Sequence, residues 1–162
     1  MKKPEAELAK EHDYEKVGIS EERVDGPMLV TGRGGFTDDV DKRGMLAIKV
    51  LRSPHAHAKI TSIDATEARE MEGVHEVLTH KNVPRVRYTR AGQNWPEPSP
   101  DDMFMFDRKV RYVGDRVAAV AAETPEQAEQ ALEKIDVEYE ELPAVFDPEE
   151  ALKEGAPQLH EG

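Results

Sequence analysis

Residues 117–142, VAAVAAETPEQAEQALEKIDVEYEEL, decide the fold of this chain. They open with a continuous apolar run over 117–122, which is typical of a central strand covered on both faces. Thr124 and Pro125 then predict a helix start, and Gln127 is the expected capping-box partner. Apolar residues at helical spacing predict the buried stripe of that helix, namely Ala128, Ala131, Leu132 and Ile135. The alternating residues that follow predict a strand, so the stretch is a strand–helix–strand unit.

An earlier part of the chain has the same order of elements. Residues 45–51 and 59–63 predict two strands. The first strand is expected to bury one apolar face, made of Leu46, Ile48 and Val50. A capping box at Asp64 and Glu67 predicts a short helix, and residues 74–78 predict the next strand. Two strand–helix–strand units in one layer predict an α+β fold, that is, a mixed α/β domain.

Composition limits the classes of function. The 162 residues include 34 acidic and 22 basic side chains, which gives a net charge of −12. Such a surface repels phosphate backbones, so we expect no nucleic-acid partner. The sequence contains no cysteine, which excludes disulfides, thiol nucleophiles, zinc fingers and iron–sulfur clusters ligated by this chain.

The N-terminal residues 1–22 are highly charged and show no apolar period. We therefore predict a disordered or weakly ordered tail over 1–22 and a folded domain over 23–162. No run of 18 apolar residues and no apolar signal core are visible. These features predict no membrane association and no secretion.

Several short motifs resemble functional sites without completing one. His55 and His57 could begin a metal site, but no third ligand lies nearby in the sequence. The acidic residues Asp39 and Asp41 resemble the opening of a calcium loop that then fails at its later positions. Glycines over 32–35 lack the helix and lysine of a phosphate loop.

The densest cluster of carboxylates, Glu138, Glu140 and Glu141, falls largely on the solvent side of an alternating strand. We therefore predict no catalytic, cofactor-binding or metal-binding residue in this chain. From the residues alone, a binding or scaffolding module is favoured over an enzyme.

A Pro-rich segment over 79–107 interrupts the two units and is predicted as a variable loop. It holds the large apolar side chains Trp95, Met103, Phe104, Met105 and Phe106. Because these side chains are costly to leave in water, they are expected to pack on the domain's own core or to contact a partner.

Five long blocks together resemble a known family. They are residues 23–27 (RVDGP), 35–39 (GFTDD), 51–58 (LRSPHAHA), 110–120 (VRYVGDRVAAV) and 138–145 (EYEELPAV). Their order resembles the start of the molybdenum-binding large subunit of the xanthine dehydrogenase/aldehyde oxidase family. The resemblance implies an N-terminal α/β-hammerhead domain, whose hammerhead projection periodicity alone does not reveal.

The resemblance also implies a role and a cytoplasmic location. Family enzymes hydroxylate C–H carbons with a molybdopterin-type molybdenum cofactor and pass electrons through [2Fe–2S] clusters, often to FAD. Those cofactors are held outside this domain, so this chain is expected to bind none and to be inactive alone. It is expected to be one piece of a longer polypeptide. It would pack against the C-terminal molybdopterin-binding domains, with iron–sulfur and FAD subunits as further partners. One departure is Arg116, where the family often has proline.

Two alternatives remain open at this point. The first is a stand-alone binding or assembly module that retains the hammerhead domain without the enzyme. The second is a small metal-binding enzyme that uses His55 and His57.

Overall fold

The computed structural model describes residues 16–18, 20–89 and 101–160. The chain divides into two compact units, Met1–Lys42 and Arg43–Gly162. The tail predicted over 1–22 falls mostly outside the described residues, and its boundary at residue 22 stays a prediction.

The first unit contains short helical segments. Helix α1 covers Gly26–Val30, and a 3-10 turn covers Thr37–Asp39. The backbone N–H of Gly32 donates to the Leu29 carbonyl at 3.1 Å, and Gly32 has a φ of +68°. This glycine therefore ends a helix, as glycines after a last helical turn commonly do.

The second unit contains two antiparallel three-stranded sheets. In spatial order, the first sheet comprises β1 (Ala47–Arg52), β5 (Arg116–Ala122) and β3 (Val74–Thr79). The second sheet comprises β4 (Lys109–Val110), β2 (Ala58–Asp64) and β6 (Asp136–Glu141). Three helices accompany the sheets: α2 (Thr66–Glu70), α3 (Pro125–Leu132) and α4 (Pro148–Ala151).

Both predicted strand–helix–strand units are present, and the mixed α/β class is confirmed. The prediction of a single layer is wrong, because each strand–helix–strand motif begins in one sheet and ends in the other. Helix α2 joins β2 of the second sheet to β3 of the first, and α3 joins β5 of the first to β6 of the second. The reason is the strand pairing. Within each sheet, strands of one strand–helix–strand motif pair antiparallel with strands of the other motif, and not with each other.

Strand β5 is central and buried, as its apolar run predicts. One apolar cluster includes buried residues from both sheets and from α2 and α3. Much of it is alanine, which lets helix and sheet backbones approach closely: Ala58, Ala65, Ala68, Ala118, Ala122, Ala128 and Ala131. Small side chains explain how a chain with only 38% hydrophobic residues forms a close-packed core.

The capping box of α3 is confirmed. The Gln127 backbone N–H donates to the Thr124 hydroxyl at 3.2 Å, and the Thr124 N–H donates to the Gln127 side chain at 3.1 Å. The capping box predicted for α2 is wrong, because Ala65 is its N-cap and makes no side-chain cap. Asp64 instead accepts from the Thr66 N–H at 2.9 Å and hydroxyl at 2.6 Å. These hydrogen bonds lower the pKa of Asp64 and form a local turn.

The burial predicted for one face of β1 is also wrong. Ile48 is 64% exposed and Leu46, just before the strand, is 38% exposed. Helix α3 packs on the opposite face, where Leu51 joins the core and Lys49 Nζ lies 3.9 Å from Glu129 Oε2 of the helix. Both sides of β1 carry apolar residues, but Lys49 pairs with Glu129 on the side that meets the helix, so the charged residue made periodicity indicate the wrong side.

Gly73 is required between α2 and β3. Its φ is +82°, and a β-carbon there would lie 2.2 Å from Nε2 of Gln127. We expect Gly73→Ala to lower the free energy of unfolding in urea by about 2 kcal/mol, because it adds backbone strain and displaces the α3 cap. Gly155 has a φ of +81° with nothing near its absent side chain, so Gly155→Ala should cost only about 1 kcal/mol. Equal losses would contradict this role of Gln127.

Candidate functional site

The face of the first sheet that points away from α3 is largely apolar, although the exposed Glu76 of β3 is paired with Ala121 at its edge and Ala119 at its centre is already buried. Strand pairing sets Ile48 opposite Ala121 and Val50 opposite Ala119, and Leu78 is paired with Ala119 from the other side. We call these five residues the open face. The exposed face of an antiparallel sheet is usually polar, so an isoleucine at 64% exposure in this position is typical of a surface that a partner covers.

The apolar residues predicted as a partner contact lie in different environments. Trp95 falls outside the described residues. Phe106 is buried, and Met105 is 51% exposed. Met103 forms an isolated antiparallel bridge with Tyr88. Phe104 is half-buried beneath the Arg85 guanidinium, which lies 3.9 Å from its ring centre.

Arg116, at the start of β5, connects the sheet to this segment. Its Nη2 donates to the Tyr88 hydroxyl and, at 3.4 Å, to the Phe104 carbonyl. A proline at this position, as the resembled family often has, could make neither bond. The side chain therefore connects the first sheet to two distant points of the 79–107 segment, Tyr88 and Phe104.

Asp107 is the most buried carboxylate among the described residues, at 8% exposure. It accepts from Arg85 Nη1 at 2.8 Å, from Arg111 Nη1 at 2.9 Å and from the Arg108 N–H at 2.8 Å. Burial alone would raise the pKa of this carboxyl, but the three hydrogen bonds outweigh burial and hold the pKa below its ordinary value of 3.8. The carboxylate thus organises a cluster of cations around the end of the segment.

The two histidines weighed as a metal site are engaged separately. The buried His57 donates from Nδ1 to the Pro143 carbonyl at 2.6 Å. His55 Nδ1 lies 3.3 Å from Glu141 Oε1, and its ring lies 4.7 Å from that of Tyr139. Within the described ranges, no group of three His, Asp or Glu side chains is placed to hold a metal ion.

His57 should matter for stability. It is 5% exposed, and its side chain joins the residue just before β2 to the chain after β6. We expect His57→Ala to lower the free energy of unfolding by about 2 kcal/mol, from lost packing and one lost hydrogen bond. The more exposed His55 is the matched control, and His55→Ala should cost less than about 1 kcal/mol. Chemical denaturation measures both, and an equal cost would show that His57 has no such role.

The acidic side chains Asp39, Glu138 and Glu140 have local structural explanations. The Asp39 side chain accepts from the Phe36 N–H at 2.8 Å, which caps a turn. Glu138 and Glu140 are exposed on β6 and alternate with Val137 and Tyr139, which pack on the core. Glu140 Oε2 lies 3.5 Å from Lys59 Nζ in a surface ion pair.

The comparison with known families is decisive. The profile described as "Aldehyde oxidase and xanthine dehydrogenase, a/b hammerhead domain" matches residues 31–143. The chain belongs to this family. The hammerhead domain predicted from the sequence blocks is therefore confirmed.

Curated relatives of this hammerhead domain are much longer proteins. The probable hypoxanthine oxidase XdhD of Escherichia coli K12 is 46% identical over 149 residues, which are 92% of this chain and 16% of the relative. The xanthine dehydrogenase molybdenum-binding subunit of Escherichia coli O157:H7 is 40% identical over 144 residues, which are 86% of this chain and 19% of the relative. The chain thus corresponds to one domain of such large subunits.

Solved structures agree with this assignment. Carbon monoxide dehydrogenase from Oligotropha carboxidovorans superposes with a TM-score of 0.71 at 35% identity, covering 86% of this hammerhead chain and 17% of that enzyme chain. Quinoline 2-oxidoreductase from Pseudomonas putida 86 superposes with a TM-score of 0.68 at 35% identity, covering 88% and 18% respectively. None of the helices in the described part of the chain has the length and apolar character needed to cross a membrane.

Proposed function

We propose that this chain is the structural hammerhead domain of a molybdenum hydroxylase large subunit and packs through its open face against the molybdopterin-binding domains. The observation that carries the proposal is the exposure of Ile48, which lies beside Ala121 on the sheet face opposite to the one that α3 packs on. Full burial of an isoleucine side chain stabilises a contact by about 1.5–3 kcal/mol. Leu78 and Val50 would extend the same contact.

The role we propose is non-catalytic in isolation. The sequence has no cysteine with which to hold a [2Fe–2S] cluster, and the described residues offer no three-ligand metal group. The residues described here therefore do not fit an iron–sulfur centre. In our proposal the molybdopterin cofactor, [2Fe–2S] clusters and any FAD are held by other domains or subunits of a cytoplasmic enzyme.

The isolated chain tests the non-catalytic role. Purified protein should contain far less than stoichiometric molybdenum by elemental analysis, and it should not oxidise aldehydes or xanthine with an artificial electron acceptor. Stoichiometric molybdenum together with turnover would overturn the proposal. Zinc added to wild type and to His57→Ala should give the same weak binding, because His57 Nε2 is buried and the described residues offer no group of three ligands around it.

A further inference from the structure

A basic groove lies in the second unit of this acidic protein. Its volume is about 640 Å³, and six cations line it: Lys59, Arg85, Arg87, Arg108, Lys109 and Arg111. Three aspartates share the lining, so the groove carries local positive charge in a chain whose net charge is −12. Cations gathered in one concave surface concentrate the electrostatic potential there.

Two cations of the groove also act on the nearby His80. Burial lowers the pKa of its imidazole, and the charges of Arg108, Lys81 and Arg85 lower it further, while Asp107 opposes them. Around His80, three cations therefore act against the single Asp107 carboxylate.

Two of the lining cations are available to a ligand. Arg85 and Arg111 are held by Asp107, and Lys59 is paired with Glu140. Arg87 and Arg108 are exposed, and neither forms an ion pair with a carboxylate among the described residues. Arg87 lies 5.7 Å from the ring centre of Phe104, beside an apolar part of the same groove.

The groove already holds a stretch of polypeptide at its rim. Lys109 Nζ donates to the Gln158 carbonyl at 3.2 Å, and Arg111 Nε donates to the Leu159 carbonyl at 3.0 Å. Side chains of this surface therefore bind the backbone carbonyls of a polypeptide segment. Asp101 and Asp102 also line the groove, and they disfavour a compact phosphate more than a peptide that spaces single charges along its length.

We propose that the basic groove binds an acidic peptide segment of a partner chain, with carboxylates at Arg87 and Arg108 and an apolar side chain beside Phe104. The groove is separate from the open face, so this interaction does not depend on the proposed packing role. Charge complementarity of this kind selects the partner and speeds its association.

Titration calorimetry of the full chain with a blocked peptide of sequence EEFEE tests the proposal. We expect saturable binding that weakens about tenfold between 0.05 and 0.5 M salt. The double variant R87Q/R108Q should bind about tenfold more weakly, and R87K/R108K, which keeps both charges, should bind less than about threefold more weakly. Circular dichroism establishes that each variant is folded.

The control is R33Q/R43Q, which makes the same change in net charge at exposed arginines outside the groove. Its affinity for the peptide should stay within about twofold of wild type. Absence of peptide binding, or an equal loss in the groove and control variants, would overturn the proposal. Tighter binding of inorganic pyrophosphate or of a thymidine octanucleotide than of the peptide would also overturn it.

Discussion

Replacing Asp107 with asparagine should lower the free energy of unfolding by about 3 kcal/mol at pH 7. The carboxylate is 8% exposed and accepts from two arginines and one backbone N–H. Asparagine keeps the size of the side chain but loses its charge, which leaves the little-exposed Arg111 guanidinium without a counter-ion. Urea denaturation measures the loss, and Asp101→Asn, at an exposed neighbouring carboxylate, should change stability by less than about 0.5 kcal/mol.

The stability difference between wild type and Asp107→Asn should depend on pH in the acid range. The pKa of Asp107 is depressed in the folded chain, so its stabilising contribution is complete well above 3.8 and is lost as the pH falls through the lower folded value. The difference in unfolding free energy between wild type and Asp107→Asn should therefore be constant near neutrality and shrink below about pH 4. A difference that grew as the pH fell would contradict the depressed pKa.

Replacing Ile48 with glutamate should disrupt assembly of the large subunit without unfolding the domain. In the isolated chain Ile48 is 64% exposed, so Ile48→Glu should change the unfolding free energy by less than about 0.5 kcal/mol. Against a covering domain, the buried and unpaired carboxylate should weaken the contact at least about a hundredfold. Calorimetry with the separately produced molybdopterin-binding domains measures the ratio of the dissociation constants of Ile48→Glu and wild type.

Val113→Glu is the matched control for Ile48→Glu. Val113 is also 64% exposed, but it lies in the turn before β5 and not on the open face. The change in charge and the loss of apolar area are therefore similar, and only the place differs. We expect Val113→Glu to bind within about threefold of wild type. An equal loss in the two variants would show that the open face is not the contact.

Local chemistry made much of the second unit predictable. The apolar run of β5, the cap formed by Thr124 and Gln127, and the alternation of β6 each specify their element without tertiary information. The arrangement of two sheets was not predictable, because strand pairing depends on long-range contacts that periodicity does not encode. The capping box predicted at Asp64 is wrong because Asp64 forms a turn with Thr66, and α2 begins one residue later, with Ala65 as its N-cap.

Part of the candidate surface was visible in the sequence and part was not. The apolar residues over 103–106 could be identified as costly to expose, but their separation into buried Phe106 and exposed Met105 depends on folding. The open face was missed because Ile48 was expected to face the core. The basic groove collects cations from β2, β4 and the 79–107 segment, and no sequence window contains all of them.

A domain exchange tests the central claim most directly. The 144 matched residues of the Escherichia coli O157:H7 xanthine dehydrogenase molybdenum-binding subunit would be replaced by those of this chain, and molybdenum per purified subunit would be measured. We predict that the exchanged subunit stays folded and retains molybdenum at a level close to that of the unaltered subunit, and that adding Ile48→Glu removes it. An exchanged subunit that is folded but as poor in molybdenum as one lacking the domain would contradict the account.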